Sequence, residues 1–129
     1  MSTIRVDTVS NTAASQSTGI SNVINGSAKA WVNFNGTGTV AIRASHNVSS
    51  ITDNGTGIYT VNFASALADA NYSVSSIVTD NNIGEAVIKI SAAGSTSAPT
   101  TMTSSAVRLA LGGVGNTYDA NVFCVTVLR

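Results

Sequence analysis

The chain has 129 residues, of which only six are basic and six acidic, whereas Ser, Thr, Asn and Gly together supply 58. A soluble domain is usually about a quarter charged, so this surface must consist mainly of neutral hydroxyl, amide and backbone groups. The net charge of zero provides no basic patch for nucleic acid and no polybasic segment for an anionic membrane. We therefore expect no nucleic-acid binding and no membrane insertion. The scarcity of Asp, Glu, His, Cys and Lys further argues against an enzyme.

Residues 1–27 differ from the rest of the chain. An alternating stretch from Ile4 to Val9 is followed by a polar string, Ser10 to Gly19, and by a short segment with weak helical character, Ser21 to Asn25. Since this stretch has too few apolar residues for a core, we predict an extended arm used for attachment or oligomerisation. In that arm Ile4 and Val6 are expected at an interface between subunits.

From residue 28 onward, apolar and polar residues alternate with the period of β-strands. In the first strand Ala30, Val32 and Phe34 share one face, and Trp31 and Asn33 the other. Gly and Asn turns separate further apolar runs, for instance at Asn54-Gly55, where the dipeptide favours a hairpin. Residues 28–129 are therefore predicted to form an all-β, antiparallel, jelly-roll-like sandwich of about eight short strands. They are expected at 28–34, 40–43, 48–52, 59–63, 72–79, 86–91, 106–111 and 121–128.

The last strand is apolar on both sides. One side carries Val122, Cys124, Thr126 and Leu128, and the other carries Phe123, Val125 and Val127. An antiparallel strand with one solvent-exposed face should be polar on that face. Either the strand is covered on both sides within the chain, or one face meets another subunit. We predict subunit contact for at least part of this set, with the interface formed by Trp31, Phe123, Val125 and Val127.

No segment carries a recognisable catalytic, metal or cofactor motif. The Gly-rich stretches lack the Gly-Lys-Ser/Thr ending of a phosphate-binding loop, His46 has no metal-ligand partner at suitable spacing, and Cys124, the only cysteine, has no accompanying base. We therefore predict no catalytic residues, no metal and no cofactor.

A glycan site is the one binding site that the loops suggest. An aromatic face beside neutral or acidic hydrogen-bonding groups suits a sugar, and Asn116, Tyr118 and Asp119 supply this mixture, to which Asn81 and Asn82 could add. Trp31 is a second candidate platform. The alternative is that Tyr118 caps the core and that Trp31 is buried.

Several segments of this chain resemble a known domain. They are Ala28–Gly36 (AKAWVNFNG), Ile42-Arg43, His46–Gly57 (HNVSSITDNGTG), Tyr59–Phe63 (YTVNF) and Ala70–Val74 (ANYSV), preceded by Ile4–Val9 (IRVDTV). Together they resemble a domain of tail fibres and other tail proteins of bacteriophages, notably marine and cyanobacterial ones. The likeness covers roughly residues 4–78; beyond residue 80 only the general strand pattern supports it.

No secretory signal is visible, because Met1 is followed by polar residues and not by a basic and then an apolar stretch, so we expect no signal peptide. The resemblance implies a virion component, made in the host cytoplasm, that forms a homotrimer on the phage tail or particle surface. It implies attachment to host polysaccharide or another surface receptor, with the arm held by other virion proteins, and it assigns no catalytic residues. Two alternatives stay open: a structural cement or connector without receptor binding, and a lectin-like glycan-binding module.

Overall fold

The structure is a computed structural model, and it describes residues 2–3, 5–11, 13, 16–79, 87–90, 102–113 and 116–129. For residues 87–90, 113 and 116 only the backbone is described. The predicted all-β, antiparallel sandwich is confirmed.

Two short strands and a helix occupy the N-terminal segment, and the other strands build the sandwich. Their bounds are β1 Thr8–Ser10, β2 Ser17–Gly19, α1 Ile20–Gly26, β3 Ala28–Asn35, β4 Ala41–His46, β5 Val48–Asp53, β6 Ile58–Phe63, β7 Ser73–Thr79, β8 Val87–Ile90, β9 Ala106–Gly113, β10 Asn116–Thr117 and β11 Val122–Leu128. The predicted short helix is therefore present as α1.

The sandwich consists of two antiparallel sheets. One has the strand order β4-β3-β11-β7; in the other, β10 and β6 lie along β9, β5 follows β6, and β8 pairs with β9. The C-terminal strand β11 is central, because it pairs with β3 on one side and with β7 on the other.

The core lies between the two sheets and is built from alternate residues of the strands. An aromatic cluster occupies its centre: the Phe34 and Phe123 rings stack with centroids 5.0 Å apart, and the Tyr59 ring packs edge-on against both. The other fully buried large side chains are Val32, Val61, Val107, Leu109, Leu111, Val125 and Val127. This burial supplies the main favourable free energy of folding.

The structure corrects one part of the predicted subunit interface. Phe123, Val125 and Val127 are at most 2% exposed and pack in the core of their own chain, so they cannot contact another copy. Both faces of β11 are apolar in sequence, and the pairing with β3 places Phe123 opposite Phe34 and Val125 opposite Val32, on the inner side. The outward side of β11 is therefore the one with Cys124 and Thr126.

A single asparagine holds the corner where the chain passes from one sheet to the other, between β4 and β5. Asn47 has φ 52°, a left-handed conformation that Asn tolerates better than most residues. Its side-chain amide nitrogen donates to the Lys29 carbonyl at 3.0 Å and to the Ser65 carbonyl at 3.1 Å, and its side-chain oxygen accepts from Ser65 N at 2.8 Å. The corner is thereby tied to two other segments.

The N-terminal segment forms little structure of its own. β1 and β2 make a three-residue hairpin, α1 follows directly, and no residue of α1 is buried. Four large apolar side chains are exposed: Val6 (46%), Val9 (45%), Val23 (44%) and Ile24 (55%). The role of residues 1–27 as an arm for attachment or oligomerisation stays a prediction. Ile4, the other predicted interface residue of the arm, lies outside the described residues.

Candidate functional site

Of the residues predicted to bind a sugar, Asn116, Tyr118 and Asp119 are among those that the structure describes. The backbone of Asn116 pairs with Gly113 in the hairpin formed by β9 and β10, Tyr118 is half-buried, and Asp119 follows it. Asn81 and Asn82 lie outside the described residues. The loop's role in binding therefore stays a prediction.

Asp119 has a structural task within this loop. Its Oδ1 atom accepts hydrogen bonds from the Tyr59 hydroxyl at 2.7 Å and from the Gly57 amide at 2.7 Å. The Tyr59 oxygen also lies 2.8 Å from the Gly36 carbonyl oxygen, so the single hydroxyl proton is shared between two acceptors. One carboxylate oxygen of Asp119 is thus engaged in holding the loop to the core.

The ionisation of Tyr59 reflects this environment. Burial raises the pKa of its hydroxyl well above the usual value, and the hydrogen bond to Asp119 and the negative charges of Asp119 and Asp53 raise it further. The phenol therefore stays protonated through the neutral range and serves as a hydrogen-bond donor.

A second candidate site is the outer surface of the four-stranded sheet, which we call the Trp31 face. Residues paired across neighbouring strands point to the same side of a sheet, so the registers define its rows. One row runs His46, Trp31, Thr126, Ser75, and the next runs Ala44, Asn33, Cys124, Ile77. The prediction that Trp31 points away from Val32 and Phe34 is confirmed: it is 39% exposed, and Ile77 is 68% exposed.

Charge is confined to the margin of the Trp31 face. Arg43 sits at a register shift between β3 and β4, and its guanidinium donates to Asn33 Oδ1 at 3.3 Å and to Asn121 Oδ1 at 2.8 Å. No charge is carried by Trp31, Cys124 and Thr126 on the two central strands, or by Ser75 and Ile77 on edge strand β7. A shallow depression there is lined by residues of β7 and β11, among them Ile77 and Cys124.

The outer surface of β5 and β6, on the other sheet, has a different character. Asn62 Nδ2 donates to Ser50 Oγ at 3.1 Å and to Thr52 Oγ1 at 2.9 Å, and Asn54 Nδ2 donates to Thr60 Oγ1 at 2.8 Å. We call this set the hydroxyl–amide ladder. Its polar side chains hydrogen-bond one another on the surface of β5 and β6.

The arm joins the sandwich next to the Trp31 face. Lys29 of β3 donates through Nζ to the Ile24 carbonyl of α1 and, at 3.1 Å, to Ser27 Oγ. The end of α1 is therefore tied to the start of β3, the strand that carries Trp31.

Two further observations concern the part of the chain that the structure describes. It contains no group of three or more His, Cys, Asp or Glu side chains placed to hold a metal ion. None of its helices has the length and apolar character needed to cross a membrane.

No protein-family model, no curated protein and no solved structure matches this chain. Function must therefore be inferred from the residues and surfaces of the chain, together with the sequence resemblance given above.

Sequence reasoning missed two elements of these sites. The tie between Tyr59 and Asp119 joins residues 60 positions apart, and no local pattern reveals such a contact. Ile77 on the Trp31 face had a detectable signal: it shares its strand parity with Ser73, Ser75 and Thr79, which are exposed hydroxyl residues. The alternation of β7 therefore predicts an exposed side chain at Ile77, as the structure shows.

Proposed function

We propose that this protein is a structural module of a bacteriophage virion, a homotrimeric part of a tail fibre or tail tip that attaches the particle to the host surface. The observation that carries the proposal is an arm with four exposed apolar side chains, Val6, Val9, Val23 and Ile24, joined to a sandwich of low charge. Such a molecule is suited to contact: the arm offers apolar side chains to a partner, and the sandwich offers neutral hydroxyl and amide groups.

The sequence resemblance of residues 4–78 to phage tail proteins supplies the setting for these surfaces. In this setting the arm of residues 1–27 joins other virion proteins or sister copies, and the sandwich of residues 28–129 faces outward. The loop with Tyr118 and Asp119 is the candidate contact for host polysaccharide, since an aromatic ring beside amide and carboxylate groups suits a sugar.

A connector without receptor binding is a second candidate, and one observation favours it. Val6, Val9, Val23 and Ile24, all on the arm, are four of the eight exposed large apolar side chains among the described residues. In a connector the arm would carry the entire function, and the loops would serve the fold alone. A lectin-like module is the opposite case, in which only the loop is needed.

Two variants separate these candidates. One lacks residues 1–26, and the other has residues 112–120 replaced by a Gly-Ser linker. An attachment module should lose incorporation into particles in the first variant and binding to host cells or their polysaccharide in the second. A connector should lose incorporation in the first and show no cell binding at all. A lectin should bind a glycan array with or without the arm.

Purified phage particles provide the decisive control. Antibodies against the full chain should label the tail in electron micrographs and detect the protein in washed particles. If the protein is absent from particles of the phage that encodes it, the proposed virion role is wrong.

A further inference from the structure

We propose that Asn25 is a site of spontaneous deamidation, at which the side-chain amide becomes a carboxylate and the arm gains a negative charge. In this reaction the backbone nitrogen of the following residue attacks the side-chain carbonyl carbon of the asparagine. Glycine in the following position hinders the attack least, because it has no Cβ and its backbone turns freely. The chain contains three such dipeptides: Asn25-Gly26, Asn35-Gly36 and Asn54-Gly55.

The reaction needs no enzyme, metal or oxidant. The Gly26 nitrogen bonds to Cγ of Asn25, the Cγ–Nδ2 bond breaks, and ammonia leaves with the proton that the Gly26 amide gives up. Water then opens the resulting cyclic imide at one of its two carbonyl carbons. Opening gives either aspartate or isoaspartate, in which the backbone runs through Cγ. The net change replaces the side-chain amide by a carboxylate, and no electrons are transferred.

Two groups must be free at the same time for the ring to close: the attacking backbone nitrogen and the asparagine side chain. A hydrogen bond at either group must break first. The reaction therefore proceeds from a locally opened state, and its rate falls as the free energy of that opening rises. The hydrogen bonds around each Asn-Gly pair thus decide how fast it reacts.

Both groups are held at Asn35-Gly36. The Gly36 nitrogen donates to the Ala120 carbonyl at 2.9 Å, and Asn35 Nδ2 donates to the Thr37 carbonyl at 2.7 Å. Asn35 Oδ1 accepts from Thr37 Oγ1 at 2.8 Å. A Cβ at Gly36 would lie only 2.6 Å from the Tyr59 hydroxyl oxygen, so the peptide unit has little room to turn. This pair is protected by the sandwich.

Both groups are also held at Asn54-Gly55, in the hairpin between β5 and β6. The Gly55 nitrogen donates to Asp53 Oδ1 at 2.9 Å. Asn54 Nδ2 donates to Thr60 Oγ1 at 2.8 Å and to the Thr52 carbonyl at 3.2 Å. The hydroxyl–amide ladder thus fixes the side chain while Asp53 occupies the attacking nitrogen. This pair is protected too.

Asn25 has no such protection. It lies in the last turn of α1, where no residue is buried, and its side chain has no hydrogen-bond partner among the described residues. A Cβ at Gly26 would meet nothing within 4 Å. Ring closure requires the last helical turn to unwind, and α1 has only seven residues and no side-chain hydrogen bond at its N-cap. Helices of this length are marginal in water, so the turn opens at low cost.

The product would change the character of the arm. Lys29 Nζ bonds to the Ile24 carbonyl and to Ser27 Oγ, on either side of the Asn25-Gly26 pair, so the new carboxylate forms close to a cation. It also places a negative charge beside the exposed Val23 and Ile24. An arm modified in this way is less suited to apolar contact than the original one.

Mass spectrometry of the full chain, aged in mildly alkaline buffer made with heavy-oxygen water, follows each Asn-Gly pair separately. Peptide fragmentation assigns each incorporated oxygen to its residue. We expect Asn25 to convert about tenfold faster than Asn35 and Asn54, or more, since those two must first lose protecting hydrogen bonds. In denaturant the three pairs should convert at similar rates. If Asn25 reacts no faster than the other two in the folded chain, the proposal is wrong.

Two variants test the chemistry and the protection. Gly26→Ala has space for its methyl group and suits a helix, yet it hinders the attack, so conversion at Asn25 should fall several-fold. Asp53→Ala frees the Gly55 nitrogen and should speed conversion at Asn54, with Asn25 as the reference in the same sample. Circular dichroism confirms that both variants fold.

Unchanged conversion at Asn25 in Gly26→Ala would contradict attack by the Gly26 nitrogen. Unchanged conversion at Asn54 in Asp53→Ala would contradict the protective role of the hydrogen bond. All of these rates are measured on the isolated protein, so they are independent of the virion role. Absence of the chain from phage particles would leave the assignment of Asn25 intact.

Discussion

The Tyr59 hydroxyl lies 2.7 Å from Asp119 Oδ1, and this contact closes one end of the sandwich. Tyr59 belongs to β6, Asp119 to the loop before β11, and the same hydroxyl approaches Gly36 in the turn after β3. Three segments that are distant in sequence are thus joined at one phenol oxygen. The loop predicted to bind a sugar is consequently anchored at its base, whatever its outer residues contact.

Removing the phenol oxygen should weaken this end of the sandwich without disturbing the aromatic core. In Tyr59→Phe the ring keeps its packing against Phe34 and Phe123, but Asp119 loses a donor. We expect the free energy of unfolding to fall by about 1–3 kcal/mol, the usual cost of leaving a polar partner unsatisfied. Denaturant titration of Tyr59→Phe and the wild type measures this difference in the free energy of unfolding. Asp119→Ala completes a double-mutant cycle because it removes the acceptor: the double variant should cost less than the sum of the two single ones, and strict additivity would contradict a direct interaction.

Stability should decline at alkaline pH. Burial raises the pKa of Tyr59 and of Tyr72 in the folded chain, whereas in the unfolded chain a tyrosine titrates near about pH 10. As the pH rises past that value, the unfolded chain releases protons that the folded chain retains, so unfolding becomes more favourable. The free energy of unfolding should therefore be flat from about pH 7 to 9 and fall above about pH 10. Tyr59→Phe should fall less steeply; an unchanged slope would count against this assignment.

Two glycines with nearly the same backbone conformation should respond differently to alanine. Gly57 has φ 67° and Gly38 has φ 62°, but a Cβ at Gly57 would meet the Leu111 carbonyl oxygen at 2.7 Å and the backbone of Tyr118, whereas one at Gly38 has nothing within 4 Å. Gly38→Ala should cost about 1 kcal/mol for the left-handed backbone alone. Gly57→Ala should cost about 3 kcal/mol or more. Thermal unfolding compares the stability of the two variants. Equal losses would mean that the backbone around Tyr118 shifts to make room for the added Cβ.

Neighbouring residues of β11 should differ sharply in their contribution to stability. Phe123 is fully buried in the aromatic cluster, so Phe123→Ala should cost about 3–5 kcal/mol. Cys124 points to the Trp31 face, where Cys124→Ser should cost less than about 1 kcal/mol. Denaturant unfolding of both at the same low concentration separates folding from association. A large loss for Cys124→Ser would mean that the parity assigned to β11 is wrong.

Strand positions and the inner face of β3 were predictable from sequence because alternation is a local property. Trp31 was placed opposite to Val32 and Phe34 on that basis alone, and this is confirmed. The inner face of β11 was not predictable, since both of its sides are apolar. Only the register with β3, which sets Phe123 opposite Phe34, decides between them. The Asp119 anchor could not be foreseen because its two donors lie in other strands and turns.

The hydrogen bonds of the Asn47 side chain at the corner between β4 and β5 have a practical consequence for producing the protein. Asn47-Val48-Ser49 is an acceptor sequence for N-linked oligosaccharides, and attachment would replace one of the two amide hydrogens that Asn47 donates to the carbonyls of Lys29 and Ser65. A sugar added during passage through a secretory pathway would therefore compete with closure of the corner. Bacterial cytosol avoids that modification and is the expression system in which the native corner should form.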